Sequence, residues 1–209
     1  MLKNLKLNEF IDELASSSPA PGGGSVSALA GSVSSALVCM VINLTVGKEK
    51  FQAVEEELSV ALQEVEGLKI RLCDYIDRDT DAFNKVMDAF KLPKNNDEEK
   101  EFRTKSIQEA MKNAALLPLE VARDCLQSMH LAKLVAEKGN PNALSDAGVA
   151  GLMAYAGLHG AILNVEINLG SIKDEGFVSE LIDKKESILQ EGKLLQEEIL
   201  KTVHSKLSN

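Results

Sequence analysis

Apolar residues recur at every third or fourth position along most of this 209-residue chain, which is the spacing of an amphipathic helix. The longest stripe runs from Val54 to Phe90, so one helix face stays in register for about ten turns. Shorter stripes predict three more helices. The first ends near residue 14, the second runs from 96 or 97 to 138, and the third covers 174–205. No segment alternates with a period of two, so the pattern predicts an all-α fold.

Two further segments, 25–46 and 147–169, are rich in small residues. Helices of small residues can approach their neighbours closely, so we expect both at the centre of a multihelical bundle of about six helices. The first segment is uncharged and long enough for a membrane span, but its many serines and the lack of flanking aromatic residues favour a core helix. The prediction is a single domain covering 1–209. Its long stripes expose more apolar surface than one bundle covers, which predicts a homodimer.

Two loops rich in turn-forming residues separate these helices. Prolines and glycines fill 19–24, which predicts a non-helical turn before the first small-residue helix. The second loop, GNPNALSD at 139–146, ends one helix, and we expect Ser145 or Asp146 to cap the next. Pro118 lies inside an otherwise helical pattern and predicts a kink or a break there.

Charge and cysteine content restrict the partners and the compartment. The formal net charge of −9 argues against nucleic acid as a partner. Cys39, Cys73 and Cys125 match no zinc or disulfide spacing, which indicates reduced thiols in the cytoplasm. The histidines are far apart, so no metal site is predicted. The first helix is amphipathic and acidic, unlike a secretory signal, and we expect no membrane partner.

Asp79 occupies an apolar position of the longest stripe. An ionised carboxylate is costly to bury without a partner, so this residue needs an explanation. One interpretation is a structural carboxylate that is hydrogen-bonded to a neighbouring helix. The other is a proton shuttle, because burial raises the pKa of a carboxyl group toward neutrality.

The loops offer two more candidate sites. Gly22, Gly23, Gly24 and Ser25 lead into a helix, so their backbone N–H groups could bind an anion, although an ordinary loop and cap would have the same sequence. The side chains of the second loop suit recognition of a heterocycle with donors and acceptors, but turn chemistry explains them equally well. They are Asn140, Asn142, Ser145 and Asp146. Asn164 and Asn168, on the second small-residue helix, are either ligand contacts or interhelix hydrogen bonds.

Four long motifs together resemble the cyclodeaminase/cyclohydrolase family, and the resemblance covers nearly the whole chain. They are PAPGGGSVSALAG, DRDTDAFNKVMDAFKLP, ALLPLEVA and GNPNALSDAGVAGLMAYAGLHGAILNVEINL. The resemblance implies an all-helical fold that associates as dimers or larger rings. It also implies a folate one-carbon substrate and no cofactor beyond the folate. Two activities stay open: formimidoyltetrahydrofolate cyclodeaminase and methenyltetrahydrofolate cyclohydrolase.

The resemblance also suggests roles for the candidate residues. Asp79 would move the proton, with Asp146 as its rival or as a partner in pterin binding. The loop amides Asn140 and Asn142, together with Asn164, would contact the pterin or the one-carbon bridge. The glutamate tail would meet cations, for which the candidates are Lys85, Lys91 and Arg123. A different class, a non-enzymatic helical scaffold or small-ligand carrier, explains the stripes but leaves the two loops unexplained.

Overall fold

Six α-helices follow the predicted order along residues 1–208, the part of the chain that this computed structural model describes. They are α1 (Leu7–Leu14), α2 (Gly23–Asn43), α3 (Glu55–Lys91), α4 (Asp97–Lys138), α5 (Leu144–Leu169) and α6 (Glu175–Leu207). Short 3-10 segments cover Leu2–Asn4, Glu49–Val54 and Pro141–Ala143. Since residues 1–208 contain no strand, the all-α prediction is confirmed.

The two small-residue helices, α2 and α5, pack against each other in opposite directions. A Cβ atom at Gly157 of α5 would lie 2.8 Å from the Ser27 carbonyl of α2, and one at Gly160 would overlap the Ser27 hydroxyl. A Cβ at Gly31 of α2 would lie 2.6 Å from the sulfur of Cys125 on α4. These helices therefore approach each other more closely than any larger residue would allow. Both lie at the centre, as predicted.

The core is completed by α3, α4 and α6 around this pair, and it includes a satisfied group of buried serines. The Ser34 hydroxyl lies 2.9 Å from that of Ser128 and donates to the Ala150 carbonyl at 2.8 Å. Burying these hydroxyls is therefore not costly. The three cysteines are free thiols, and burial raises the pKa of Cys125.

One side of α2 and α5 remains exposed although it is apolar. We call it the α2/α5 face; its large exposed residues are Val26, Val33, Met40, Val149, Leu152, Leu163 and Ile167. By length and composition alone, α2 and the segment Pro141–Leu169 could each cross a membrane, and packing within the protein buries 61% and 50% of their most apolar windows. Central helices of soluble proteins pass the same test, so this is weak evidence for a membrane.

Two predicted helix starts are wrong by a few residues. Gly23 and Gly24 belong to α2 rather than to the loop, because the Val26 N–H bonds to the Gly22 carbonyl and closes the first turn there. Asp146 lies inside the first turn of α5 and caps nothing, because the preceding 3-10 turn of Pro141–Ala143 leads directly into the helix.

The break considered at Pro118 does not occur, because α4 continues through this residue as one helix. Proline lacks the N–H that would bond to the carbonyl of Ala114, four residues earlier. The side-chain amide of Asn168 on α5 donates to that carbonyl at 2.9 Å. The unpaired carbonyl thus gains a partner from another helix, and of the two interpretations left open for Asn168 the structure shows the interhelix hydrogen bond.

We expect Asn168→Ala to lower the free energy of unfolding by about 1–2 kcal/mol, because it leaves the Ala114 carbonyl without its donor. In a Pro118→Ala background the loss should be smaller, since residue 118 then supplies an N–H. Urea unfolding of the four proteins measures this double-mutant cycle. An equal loss in both backgrounds would contradict the compensation.

Candidate active site

Asp79 of α3 faces the N-terminal end of α2 and is held there by Ser25. The Ser25 backbone N–H donates to Asp79 Oδ2 at 2.9 Å, and the Ser25 hydroxyl lies 3.0 Å from the same oxygen. The residue that precedes α2, Gly22, has no side chain to cap the helix. The Asp79 carboxylate, supplied by another helix, takes the place of that cap. This contact explains the acid in the apolar stripe.

The glycines of the turn allow this contact through their small size. A Cβ atom at Gly24 would overlap Asp79 Oδ1 and lie 2.5 Å from the carboxyl carbon. One at Gly23 would lie 3.2 Å from the side-chain nitrogen of Asn164 on α5. Asp79 and Asn164 therefore meet the same helix end, one from each side. The prediction that the Ser25 N–H is free to bind a ligand anion is wrong, because Asp79 occupies it.

Burial raises the pKa of the Asp79 carboxyl above its ordinary value, and the two hydrogen bonds from Ser25 act in the opposite direction. Oδ1, unlike Oδ2, receives no hydrogen bond from any residue of 1–208. A half-buried carboxyl group with one oxygen fixed and the other available can accept and return a proton.

A groove of about 580 Å³ lies between α3 and α4, and its lining includes Arg78, the residue before Asp79, but not Asp79 itself. It is lined by Arg78, Asp81, Ala82, Lys85, Ser106, Glu109, Ala110, Asn113, Leu116, Leu117 and Glu120. Lys85 is the one predicted tail-binding cation that lines it. Lys91 instead pairs with Asp88 at 2.9 Å, and Arg123 is exposed outside the groove.

The second loop lies at the other end of α2. The Asn140 backbone N–H donates to the Thr45 hydroxyl and its side-chain amide donates to the Leu44 carbonyl, both at 2.9 Å. Its side-chain oxygen accepts the N–H of Asn142 at 3.1 Å. Asn140 therefore ties the loop to the C-terminal end of α2, which is a structural role.

Within one chain, Asn140, Asn142 and Asp146 are separated from Asp79 by the length of α2, about 30 Å for its 21 residues. The two loops therefore do not share a cleft within one chain. Each loop precedes a small-residue helix, and the two helices run in opposite directions. Their N-terminal ends consequently lie at opposite ends of the bundle.

Sequence reasoning missed three contributors to this site. The Ile76 carbonyl lies 2.9 Å from the Ser25 hydroxyl, and Arg78 and Asn113 line the groove. A backbone carbonyl cannot be singled out from a sequence, because every residue has one. Arg78 directly precedes Asp79 and could have been singled out on that ground, whereas nothing in the pattern distinguishes Asn113 from other helical polar residues.

A model of the family described as formiminotransferase-cyclodeaminase matches residues 6–187. The chain belongs to this family. A methenyltetrahydrofolate cyclohydrolase from Methylorubrum extorquens is 48% identical over 208 residues, and the match covers the whole of both chains. The formimidoyltransferase-cyclodeaminase of Rattus norvegicus is 34% identical over 192 residues, which are 92% of this chain and 36% of that protein.

A solved structure agrees with the family assignment. The formiminotetrahydrofolate cyclodeaminase of Thermotoga maritima superposes with a TM-score of 0.89 at 31% identity, over 99% of this chain and all of that one. The resemblance inferred from the four sequence motifs is therefore confirmed, as is the helical fold it implied.

We expect Gly24→Ala to lower the free energy of unfolding by about 1–3 kcal/mol, because the added methyl group overlaps the Asp79 carboxylate. In an Asp79→Ala background the same change should stabilise the protein by up to about 1 kcal/mol, since alanine is the better helix former. Gly22→Ala is the matched control, because its Cβ would meet only the Pro19 carbonyl, at 4.0 Å.

Thermal or urea unfolding gives these free energies. The expected result is that Gly24→Ala lowers the free energy of unfolding in the wild type and raises it in the Asp79→Ala background. A Gly24→Ala effect that is independent of Asp79 would show that this contact does not require the glycine.

Proposed function

We propose that the chain is a folate one-carbon enzyme that hydrolyses 5,10-methenyltetrahydrofolate to 10-formyltetrahydrofolate. The observation that carries the proposal is the half-buried Asp79 carboxyl group, which Ser25 fixes at the N-terminal end of α2. The relative named methenyltetrahydrofolate cyclohydrolase supports this choice, because it matches over its full length at 48% identity. The relatives named formimidoyltransferase-cyclodeaminase match at 31–35%.

The proposed reaction needs one group that moves a proton. Water attacks the cationic methenyl carbon while ionised Asp79 accepts a proton from it, so a neutral tetrahedral centre forms. The bond from this carbon to N5 then breaks, and Asp79 returns its proton to N5. The remaining hydroxyl proton leaves to solvent as the formyl group forms on N10. The carboxylate also attracts the positive charge of the substrate before the attack.

Formimidoyltetrahydrofolate cyclodeamination is the second candidate, supported by the likeness to the Thermotoga maritima structure. There N10 attacks the formimino carbon and ammonia leaves, which forms the methenyl carbon instead of opening it. The same carboxyl group would take the proton from N10 and give it to the departing nitrogen. Both reactions therefore use one site, and the identity of the substrate decides between them.

The remaining assignments are parts of the same proposal. Asn164 would contact the pterin, since it lies at the α2 end beside Asp79. Lys85 would contact the glutamate tail, since it lines the groove. Asn140, Asn142 and Asp146 lie too far away to serve the same site within one chain. We propose no metal and no cofactor beyond the folate, a single domain with one continuous core, and a cytoplasmic location without nucleic-acid or membrane partners.

Loss of methenyltetrahydrofolate absorbance, with and without the protein, tests the proposed reaction, and gain of that absorbance from the formimino compound tests the second. We expect Asp79→Asn to lower the faster of the two rates roughly a hundredfold or more, because the amide accepts no proton. In the wild type, kcat/KM should fall as pH falls through the raised pKa of Asp79, since the ionised form is the base.

Asp79→Asn should fold at least as stably as the wild type at neutral pH. Folding raises the pKa of this carboxyl, so its ionisation above that pKa costs stability, and the neutral amide removes this cost. Circular dichroism and thermal unfolding provide the control. Full activity in Asp79→Asn would remove Asp79 from the mechanism, and a folded wild type without either activity would favour the scaffold alternative.

We further propose that the chain forms a homodimer through the α2/α5 face, because this apolar side is uncovered within one chain. Sedimentation should give twice the chain mass of 22.6 kDa. Val33→Glu with Leu152→Glu should give monomers, since charges would be buried there. Val60→Glu, on the side of α3 that faces α4, is the control and should leave the dimer intact. A wild-type monomer would contradict the proposal.

A further inference from the structure

The Ser25 hydroxyl lies between two oxygen atoms and has one proton to share. It is 2.9 Å from the backbone carbonyl of Ile76 and 3.0 Å from Asp79 Oδ2, and Ser25 is fully buried. A carbonyl oxygen can only accept a hydrogen bond, and a serine hydroxyl donates one and accepts up to two. The protonation state of Asp79 therefore decides how this hydroxyl is oriented.

The acceptor strength of Oδ2 distinguishes the two states of Asp79. When Asp79 is protonated on the available Oδ1, Oδ2 becomes an uncharged and weaker acceptor, so the Ser25 proton bonds to the Ile76 carbonyl. When Asp79 is ionised, the Ser25 proton can turn to Oδ2. The Ile76 carbonyl then loses only this additional donor, because it lies inside α3 where the helical N–H of residue 80 also reaches it.

We propose that Ser25 is a positioning residue whose hydroxyl proton turns between the Ile76 carbonyl and Asp79 Oδ2 as Asp79 takes up and releases a proton. The carboxyl group then changes charge without moving any heavy atom, and Oδ1 keeps its direction toward the reacting atoms. This inference deepens the proposed function and rests on it for the assignment of proton transfer to Asp79.

Few charged groups lie near Asp79, so few other side chains can change its pKa. Helix α2 has no ionisable side chain apart from Cys39, far from its N-terminal end, and α5 presents the neutral Asn164. The flanking Arg78 of α3 pairs at 3.7 Å with Glu120 of α4, and Asp81 is exposed in the groove. The Ser25 bonds are therefore the specific local contribution that acts against burial.

The test measures the titration of Asp79 in wild type, Ser25→Ala and Ser27→Ala. Infrared spectra of protein labelled with ¹³C at the aspartate carboxyl groups follow the protonated form, and subtraction of Asp79→Asn assigns its band. Ser27→Ala is the matched control, because the Ser27 hydroxyl is also buried on α2 but donates to the Gly23 carbonyl at 2.7 Å instead. The pH profile of kcat/KM is recorded for the same proteins.

We expect Ser25→Ala to raise the Asp79 midpoint by roughly one pH unit, because the lost hydrogen bond is stronger to the ionised carboxylate than to the neutral acid. The acid limb of kcat/KM should shift with it. Ser25→Cys keeps the approximate volume but replaces the hydroxyl with a weak donor, so the same direction is expected if Ser25→Ala does not fold. Ser27→Ala should leave the midpoint unchanged.

An unchanged midpoint in the folded Ser25 variant overturns the proposal, and so does an equal shift in Ser27→Ala. The infrared titration needs no substrate. A protein that shows the expected shift but no turnover would therefore contradict the proposed function while supporting the role of Ser25.

Discussion

The contact between the Asp79 carboxylate and the N-terminal end of α2 is the interaction on which the site depends. A helix end carries unpaired N–H groups and a partial positive charge, and α2 has no side-chain cap of its own. Asp79 supplies both the acceptor and the negative charge, while the helix end supplies the partner that a buried carboxylate needs. Neither the acid nor the glycine-rich turn would be well accommodated without the other.

The same contact sets a steric condition for the rest of the bundle. The carboxylate reaches the Ser25 N–H only because Gly24 has no side chain, and α5 can bring Asn164 to the same helix end only because glycines let α2 and α5 approach closely. Small residues along these helices thus serve the site as well as the packing. Their composition, which in the sequence indicates central helices, also determines how near the polar groups of α3 and α5 lie to each other.

Helix positions and the unusual acid could be predicted from the sequence, because both follow from the spacing of apolar residues. Asp79 stands out because its position in the stripe demands a partner. The separation of the two loops could not be predicted, since it depends on the relative direction of α2 and α5. Helical periodicity contains no information about that direction. The continuity of α4 through Pro118 could not be predicted for a similar reason, because the compensating donor, Asn168, comes from a helix distant in the sequence.

Unused hydrogen-bonding capacity distinguishes Asp79 and Asn164 from Asn140. The backbone N–H, the side-chain amide and the side-chain oxygen of Asn140 all form hydrogen bonds within the chain, so few of its polar groups are available to a ligand. Asn164 donates to the Gly160 carbonyl at 2.8 Å, and no donor within 1–208 reaches its side-chain oxygen. Asp79 likewise has one oxygen satisfied and one available. Asp79 and Asn164 both have a free acceptor and both meet the N-terminal end of α2, which supports this end as the site of the proposed reaction.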